Sequence, residues 1–315
     1  MTDRYRYRVY GLVIESELRL TSIEEVADAG GEACVTIAVA SPDYFQAIAP
    51  ARVPDPDDWV QHAVLDDGSV YMKADDVFET LISADGRRVT GGRLGDIDQR
   101  SFEANLLNFV LSASLTVQGE ETLHSTVVDI DGRAVGLLGT SGAGKSTLAA
   151  FLISRGADLV TDDMLRVRFA DGAMLAYPGP YRLKLLDEPG KGFLPEAVAA
   201  GYFNSLSGKV MVQPRTTIPA HRRTIPLAAL FHLGEPDGQA AVGEVSCVRL
   251  NGLELVRVVI SSTMDTRYAL SSRLARQIEF AARVARTVPV YRLRYPRSTD
   301  VLNDVARQIR QAIGT

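Results

Sequence analysis

The segment Gly139-Thr140-Ser141-Gly142-Ala143-Gly144-Lys145-Ser146 fills every position of the pattern G-x-x-x-x-G-K-[ST], and it constrains this chain more than any other feature. Such a pattern carries chemistry only between a strand and a helix. Residues 135–138 are an apolar run that predicts the strand, and residues 146–153 predict the helix leaving the loop. The glycines let backbone N–H groups converge on phosphate oxygens, where a Cβ would obstruct. The positive end of the new helix points at the same charge. Lys145 can reach the β- and γ-phosphates, and the Ser146 hydroxyl can ligate Mg²⁺. The stretch from Gly139 through Thr147 is therefore expected to bind a nucleoside triphosphate, with ATP and Mg²⁺ as cofactors. A glycine-rich turn that matches by chance is the bland alternative, and the flanking elements disfavour it.

The rest of the composition is ordinary. The chain has 315 residues, 46% of them apolar, enough for one large α/β domain or two small ones. A net charge of −5 argues against a protein dedicated to nucleic acid. Cys34 and Cys247 lie far apart, follow no metal-ligand spacing and read as small buried hydrophobes. No apolar run approaches the ~20 residues of a membrane span, and the N-terminus leads into no signal core. The expectation is a soluble, cytoplasmic protein without a membrane partner.

Residues 4–14 alternate charged and apolar side chains, predicting one half-buried strand with a solvated arginine face. Residues 34–40 predict a second strand, and the prolines of 50–56 break any regular element. Strands are expected at 69–73 and 77–83, with an Asp85-Gly86 turn leading onward. From 99 to 117 the pattern turns helical, with Phe102, Leu106, Phe109, Val110 and Leu115 near one face. Trp59 and His62 receive no role. Residues 1–117 thus read as a β-rich subdomain closed by a helix, and 118–315 as a second domain.

That second domain opens with a strand at 122–130, an Asp131-Gly132 turn and a returning strand at 133–138 that delivers the glycine-rich loop. His124, at the start of this hairpin, is a candidate for either a structural or a catalytic role. After the loop's helix, Arg155-Gly156 is a stop signal. A strand at 158–161 then ends in Asp162-Asp163, seventeen residues after Lys145. In an open parallel sheet, ligands meet the carboxyl ends of strands, so the two acids are expected to face the phosphates and not to be a solvated turn. Hairpin strands follow at 165–169 and 173–177 around Asp171-Gly172, then a strand at 181–186. Lys184, Lys191, Lys209, Arg215, Arg222 and Arg223 read singly as a solvated basic loop. Leu206-Ser207-Gly208-Lys209 lacks the remainder of a transporter-type signature. Strands at 225–233, 243–250 and 288–295 and helices from 251, at 266–286 and at 300–313 complete the reading, with Arg292, Arg294 and Arg297 as a basic spot.

His124, then Gly139 fifteen residues later, then Gly-Lys-Ser and a strand ending in Asp-Asp resembles the catalytic domain of HPr kinase/phosphorylase. The likeness is strongest from Leu123 to Leu165. It implies an α/β fold with a P-loop kinase core of the HPr kinase and phosphoenolpyruvate carboxykinase type. It also implies that His124 orients or tunes Asp162, that Asp162 is the general base on a serine hydroxyl, and that Asp163 supports the metal, with the order within the pair open. The chain departs from the family at Thr147, where an acidic residue is usual, and shows neither the separate N-terminal domain nor the later loop tied to phosphorylase activity. Its N-terminal RYRVYGLVIESEL instead resembles shorter HPr-kinase-like proteins that accompany ribosomal peptide biosynthesis, lasso peptides included. These phosphorylate a serine of the precursor.

The expected reaction is transfer of the ATP γ-phosphoryl group to a hydroxyl, on a peptide or protein partner bearing a serine. Two other classes compete: a kinase of small molecules, and a nucleotide-driven switch or assembly ATPase without an acceptor. The sequence leaves open whether copies of the chain assemble into a homo-oligomer.

Overall fold

A computed structural model describes residues 4–26, 34–48, 59–204, 206–214, 223–234, 244–265, 267–268 and 270–315. The chain falls into two compact units: Met1–Thr122 with Met264–Arg276, and Leu123–Thr263 with Gln277–Thr315. The proline-rich break at 50–56, Arg215, Arg222 and the start of the 243–250 strand lie outside the described residues.

The first unit is built on a seven-stranded sheet. Its strands are β1 (Tyr5–Val9), β2 (Leu12–Ser16), β3 (Val35–Val39), β4 (Gln61–Val64), β5 (Val70–Ala74), β6 (Phe78–Ile82) and β7 (Arg88–Arg93), in the order β1-β2-β3-β7-β6-β5-β4. The single strand expected over 4–14 is in fact a hairpin. β1 and β2 pair antiparallel through Val9 and Leu12, around a two-residue turn whose φ values are 53° at Tyr10 and 70° at Gly11. Alternation continues across this turn, and Tyr10 does not announce a left-handed backbone, so the pattern reads straight through. Burial helps to hold Tyr10 there: it is fully enclosed, and its hydroxyl donates to Asn108 Oδ1 at 3.2 Å.

The helical stretch expected over 99–117 has those bounds, but its middle is wound differently. α1 (Pro42–Gln46) is a short early helix. α2 (Gln99–Asn105) passes through a π turn at Leu106–Val110 into α3 (Leu111–Val117). Asp98 caps the start, accepting from the Ser101 N–H at 2.9 Å. Periodicity near 3.6 cannot reveal one wider turn. Trp59 is half exposed against Phe109, whereas the His62 side chain is buried 3.5 Å from Asp265.

The second unit is a three-layer α/β arrangement. β8 (Leu123–Ile130) and β9 (Arg133–Leu138) form the expected hairpin, with φ of 53° and 85° at Asp131 and Gly132. α4 (Lys145–Ser154) follows the loop and ends at Gly156, as the sequence predicts. Next come β10 (Asp158–Thr161), β11 (Met164–Leu165), β12 (Val167–Ala170), β13 (Ala173–Ala176) and β14 (Leu183–Leu185). Two short helices, α5 (Asp187–Phe193) and α6 (Pro195–Ala199), and the strands β15 (Tyr202–Asn204) and β16 (Lys209–Val212) occupy a stretch whose glycines and prolines suggest only loop. β17 (Ile225–Leu233), β18 (Ser246–Arg249), α7 (Gly252–Ser261), α8 (Ser271–Thr287), β19 (Val290–Arg294) and α9 (Leu302–Ile313) complete the chain.

The main sheet runs β10-β8-β9-β17-β13-β12, with β11 also on β8, β19 on β17 and β18 on β19. Side chains alternate between its faces. Val128, Val135, Leu137 and Phe231 pack with Leu148 and Leu152 of α4 and with Leu302, Val305 and Ile309 of α9. Val127, Ala134, Leu138 and Leu230 pack with Leu255 and Val259 of α7 and Phe280 and Val284 of α8. The sheet is mixed, as the antiparallel hairpin of 122–138 requires. β9, β17 and β19 are parallel neighbours, but β8 stands antiparallel between β9 and β10. Because β8 is antiparallel to both neighbours, β10 still ends at the same side of the sheet as β9.

Candidate active site

The glycine-rich loop has the backbone its sequence requires. Gly139, Gly142 and Gly144 sit at φ of 141°, 80° and 97°. A Cβ on Gly139 would come within 3.1 Å of the Ala143 Cβ and 3.3 Å of the Leu233 carbonyl, so the loop closes only on glycine there. Gly144 is the N-cap of α4. Lys145 begins the helix, largely buried, and its ammonium donates to the carbonyls of Gly139 at 2.7 Å and Thr140 at 3.0 Å. Thr140, Ser141 and Gly142 form the exposed crest; Ala143, Ser146 and Thr147 are half-buried.

The acid pair lies in an interrupted strand. β10 and β11 run along the same side of β8, Thr161 opposite Val127 and Met164 opposite His124. Asp163 breaks the ladder between them with a left-handed φ of 69°, a conformation rare outside glycine but tolerated best by Asn and Asp. Interruptions of this kind re-aim side chains beside functional sites. Asp162 is buried, and both of its oxygens are held. Thr126 Oγ1 donates to one at 2.7 Å, and the Lys184 N–H to the other at 3.0 Å. The Lys184 ammonium pairs with Asp163.

Two adjacent carboxylates thus have opposite environments. Burial, followed by the charge of Asp163, pushes Asp162 up to about 6. Burial also works against the charge of Asp163, but the Lys184 ammonium outweighs it and holds that carboxyl well below the usual range. His124 is pushed down to about 4, by burial first and then by Lys145, with Asp163 opposing. Asp163 is thus the carboxylate that favours a charged His124. Burial lowers Lys145 as well, against the pull of both aspartates. These mutual effects place His124, Lys145, Asp162 and Asp163 in one electrostatic cluster at the end of the sheet where α4 begins.

Four participants escape a residue-by-residue reading. Lys184 is not part of a solvated loop. It lies on β14 between buried Leu183 and Leu185, with a side chain only 15% exposed. Lys209 opens β16 close enough to depress both His124 and Lys145, and buried Arg182 helps to hold Asp163 charged. Thr126 could have been found, since it follows His124 by two residues and so shares its face of β8. Lys191, by contrast, is exposed and pairs with Asp187, and Arg292 pairs with Glu254 at 2.5 Å.

The donor set suits a hard divalent ion. Ser146 and Asp163 offer oxygen alone, and no trio of His, Cys, Asp or Glu able to hold a metal occurs among the described residues. Mg²⁺ is commonly held in this way, by one or two protein oxygens plus phosphate. Among those residues no helix is long and apolar enough to cross a membrane.

Residues 116–194 match the HPr Serine kinase C-terminal domain. The HPr kinase/phosphorylase of Peptoclostridium acidaminophilum is 44% identical over 68 residues, 22% of this chain and 22% of that protein. That of Limosilactobacillus reuteri is 30% identical over 154 residues, 47% of each. The matches therefore span from about a fifth to about half of the relatives' length. The solved HPr(Ser) kinase/phosphatase from Coxiella burnetii aligns with a TM-score of 0.32 and 14% identity, covering 60% of this chain and 94% of that one. Over residues 116–194, the stretch that carries the glycine-rich loop and the acid pair, this chain is similar to the HPr Serine kinase C-terminal domain.

Proposed function

We propose that this chain transfers the γ-phosphoryl group of ATP to a serine hydroxyl on a peptide or protein, and that the acceptor is a ribosomally made precursor peptide of the lasso type. The observation that carries the kinase reading is the meeting of Lys145, the acid pair and His124 at the strand end from which α4 departs. Converging N–H groups of the loop and the start of α4 hold the phosphates, and Lys145 balances their charge. Asp162 accepts the serine proton. Its raised affinity for a proton suits a base that works near neutral pH, and Thr126 and the Lys184 amide fix its direction. Ser146 and Asp163 would hold Mg²⁺, which supplies neutralising charge for the phosphates when bound. His124, kept neutral, adds no positive charge to compete with that ion.

The peptide assignment rests on the N-terminal unit. Chemistry belongs to the end of the main sheet, while capture of the acceptor is a separate task. The family model matches residues 116–194 and does not include the N-terminal sheet. Its strands could take up an extended peptide by edge pairing. The test compares initial rates on HPr and on a precursor peptide encoded beside the gene, with Ser→Ala versions of both. Faster serine-dependent phosphorylation of the precursor is expected. Preference for HPr overturns the peptide assignment, and phosphorylation of neither points to a small-molecule acceptor.

A further inference from the structure

Lys184 touches both members of the acid pair, by two different groups. Its backbone N–H donates to Asp162 and its ammonium sits on Asp163. The backbone contact is rigid, because Leu183 and Leu185 on either side are buried and β14 is paired with β16 through Leu183–Val212, Lys184–Met211 and Leu185–Val210. The ammonium is different: it ends a flexible four-carbon stem. It also occupies the carboxylate read above as support for a divalent ion. Two cations cannot both be held closely by Asp163 without strong repulsion.

We propose that Lys184 is the resident counter-cation of the acid pair: its amide fixes Asp162, and its ammonium holds Asp163 in place until a divalent cation displaces it. The inference rests on the reading of Asp163 as a metal-supporting residue and gives that site a built-in competitor. Lys184 is then a positioning residue. It keeps Asp163 neutralised and ordered, and yields it to the metal that accompanies the nucleotide.

The test uses Mn²⁺ as the probe ion, with the full-length protein and ADP, and reads free Mn²⁺ by electron paramagnetic resonance. Lys184→Met should tighten Mn²⁺ binding by about tenfold, because a unit positive charge beside the ion is removed. Lys184→Arg should stay near wild type. In an Asp163→Asn background the same Lys184→Met change should have no effect, since the shared carboxylate is gone. A merely structural role would weaken binding, not tighten it. Should Lys184→Met fail to fold, Lys184→Gln serves the same purpose. Equal or weaker binding in the variant, an undiminished gain in the Asp163→Asn background, or no Mn²⁺ binding by any form overturns the proposal. Because the readout is binding, it stands apart from the kinase reading: wild type that binds Mn²⁺ as described yet phosphorylates no hydroxyl would remove the proposed function and leave the counter-cation.

Discussion

Asp162 and Asp163 are identical in sequence terms and opposite in the folded chain. One is enclosed with two neutral donors, and the other faces an ammonium. His124 belongs to the same cluster and leads to a pH prediction with a definite sign. Its folded pKa of about 4 lies below its ordinary value. Between those two values the unfolded chain binds more protons than the folded one, so His124 makes stability rise with pH through that window. Asp162, shifted upward, contributes with the opposite sign over its own window. Denaturant unfolding of wild type and His124→Gln isolates the histidine. Relative to wild type, the variant should gain on the order of 2 kcal/mol on going from about pH 7.5 to about pH 5. An identical pH dependence in both proteins would show that His124 is not held neutral. At this scale the sequence reveals the glycine-rich loop, the histidine and the acids, because each sits in a local pattern. Thr126 and Lys184 are less legible, since their contacts with Asp162 join positions 36 and 22 residues apart.

Among the elements, Asp-Gly turns are the most legible feature, and Asp131-Gly132 and Asp171-Gly172 both adopt the left-handed pair that a tight hairpin needs. Tyr10-Gly11 makes the same turn without the same chemistry, which is why β1 and β2 read as one strand. Gly190 and Gly192 with Pro189 inside α5, and Pro195 at the start of α6, hide these two short helices in the sequence. The first unit holds a further element-level device. Glu103, fully buried on α2, accepts from the backbone N–H groups of Thr21 and Ser22, each at 2.8 Å, and so ties the segment after β2 to the helix. Glu103→Ala would remove that acceptor from two backbone N–H groups of a partly exposed segment, at about 0.5–1.5 kcal/mol for each hydrogen bond lost. A thermal or denaturant melt should show a loss of at least that size. A loss within about 0.5 kcal/mol, ordinary for a surface change, would mean that water or another group replaces the carboxylate.

On the scale of the whole molecule, the fold class follows from the order of elements, but the order of strands in the sheet does not. Nothing in the local pattern of 122–138 shows that its hairpin will be inserted with β8 between β9 and β10. That insertion lets one edge of β8 carry both β10 and β11, with the acid pair between them and His124 across from Met164. Under the proposed function, this arrangement moves a phosphoryl group to a serine with Asp162 as base. The most direct measurement follows γ-labelled ATP in single-turnover reactions of wild type and Asp162→Asn, with nucleotide affinity measured in parallel. Wild type should place the label on the acceptor serine. The variant should do so about 10²–10⁴-fold more slowly, the usual cost of losing a general base, while binding ATP nearly as well. Label released as free phosphate with no acceptor modified, or an undiminished rate in Asp162→Asn, would contradict it.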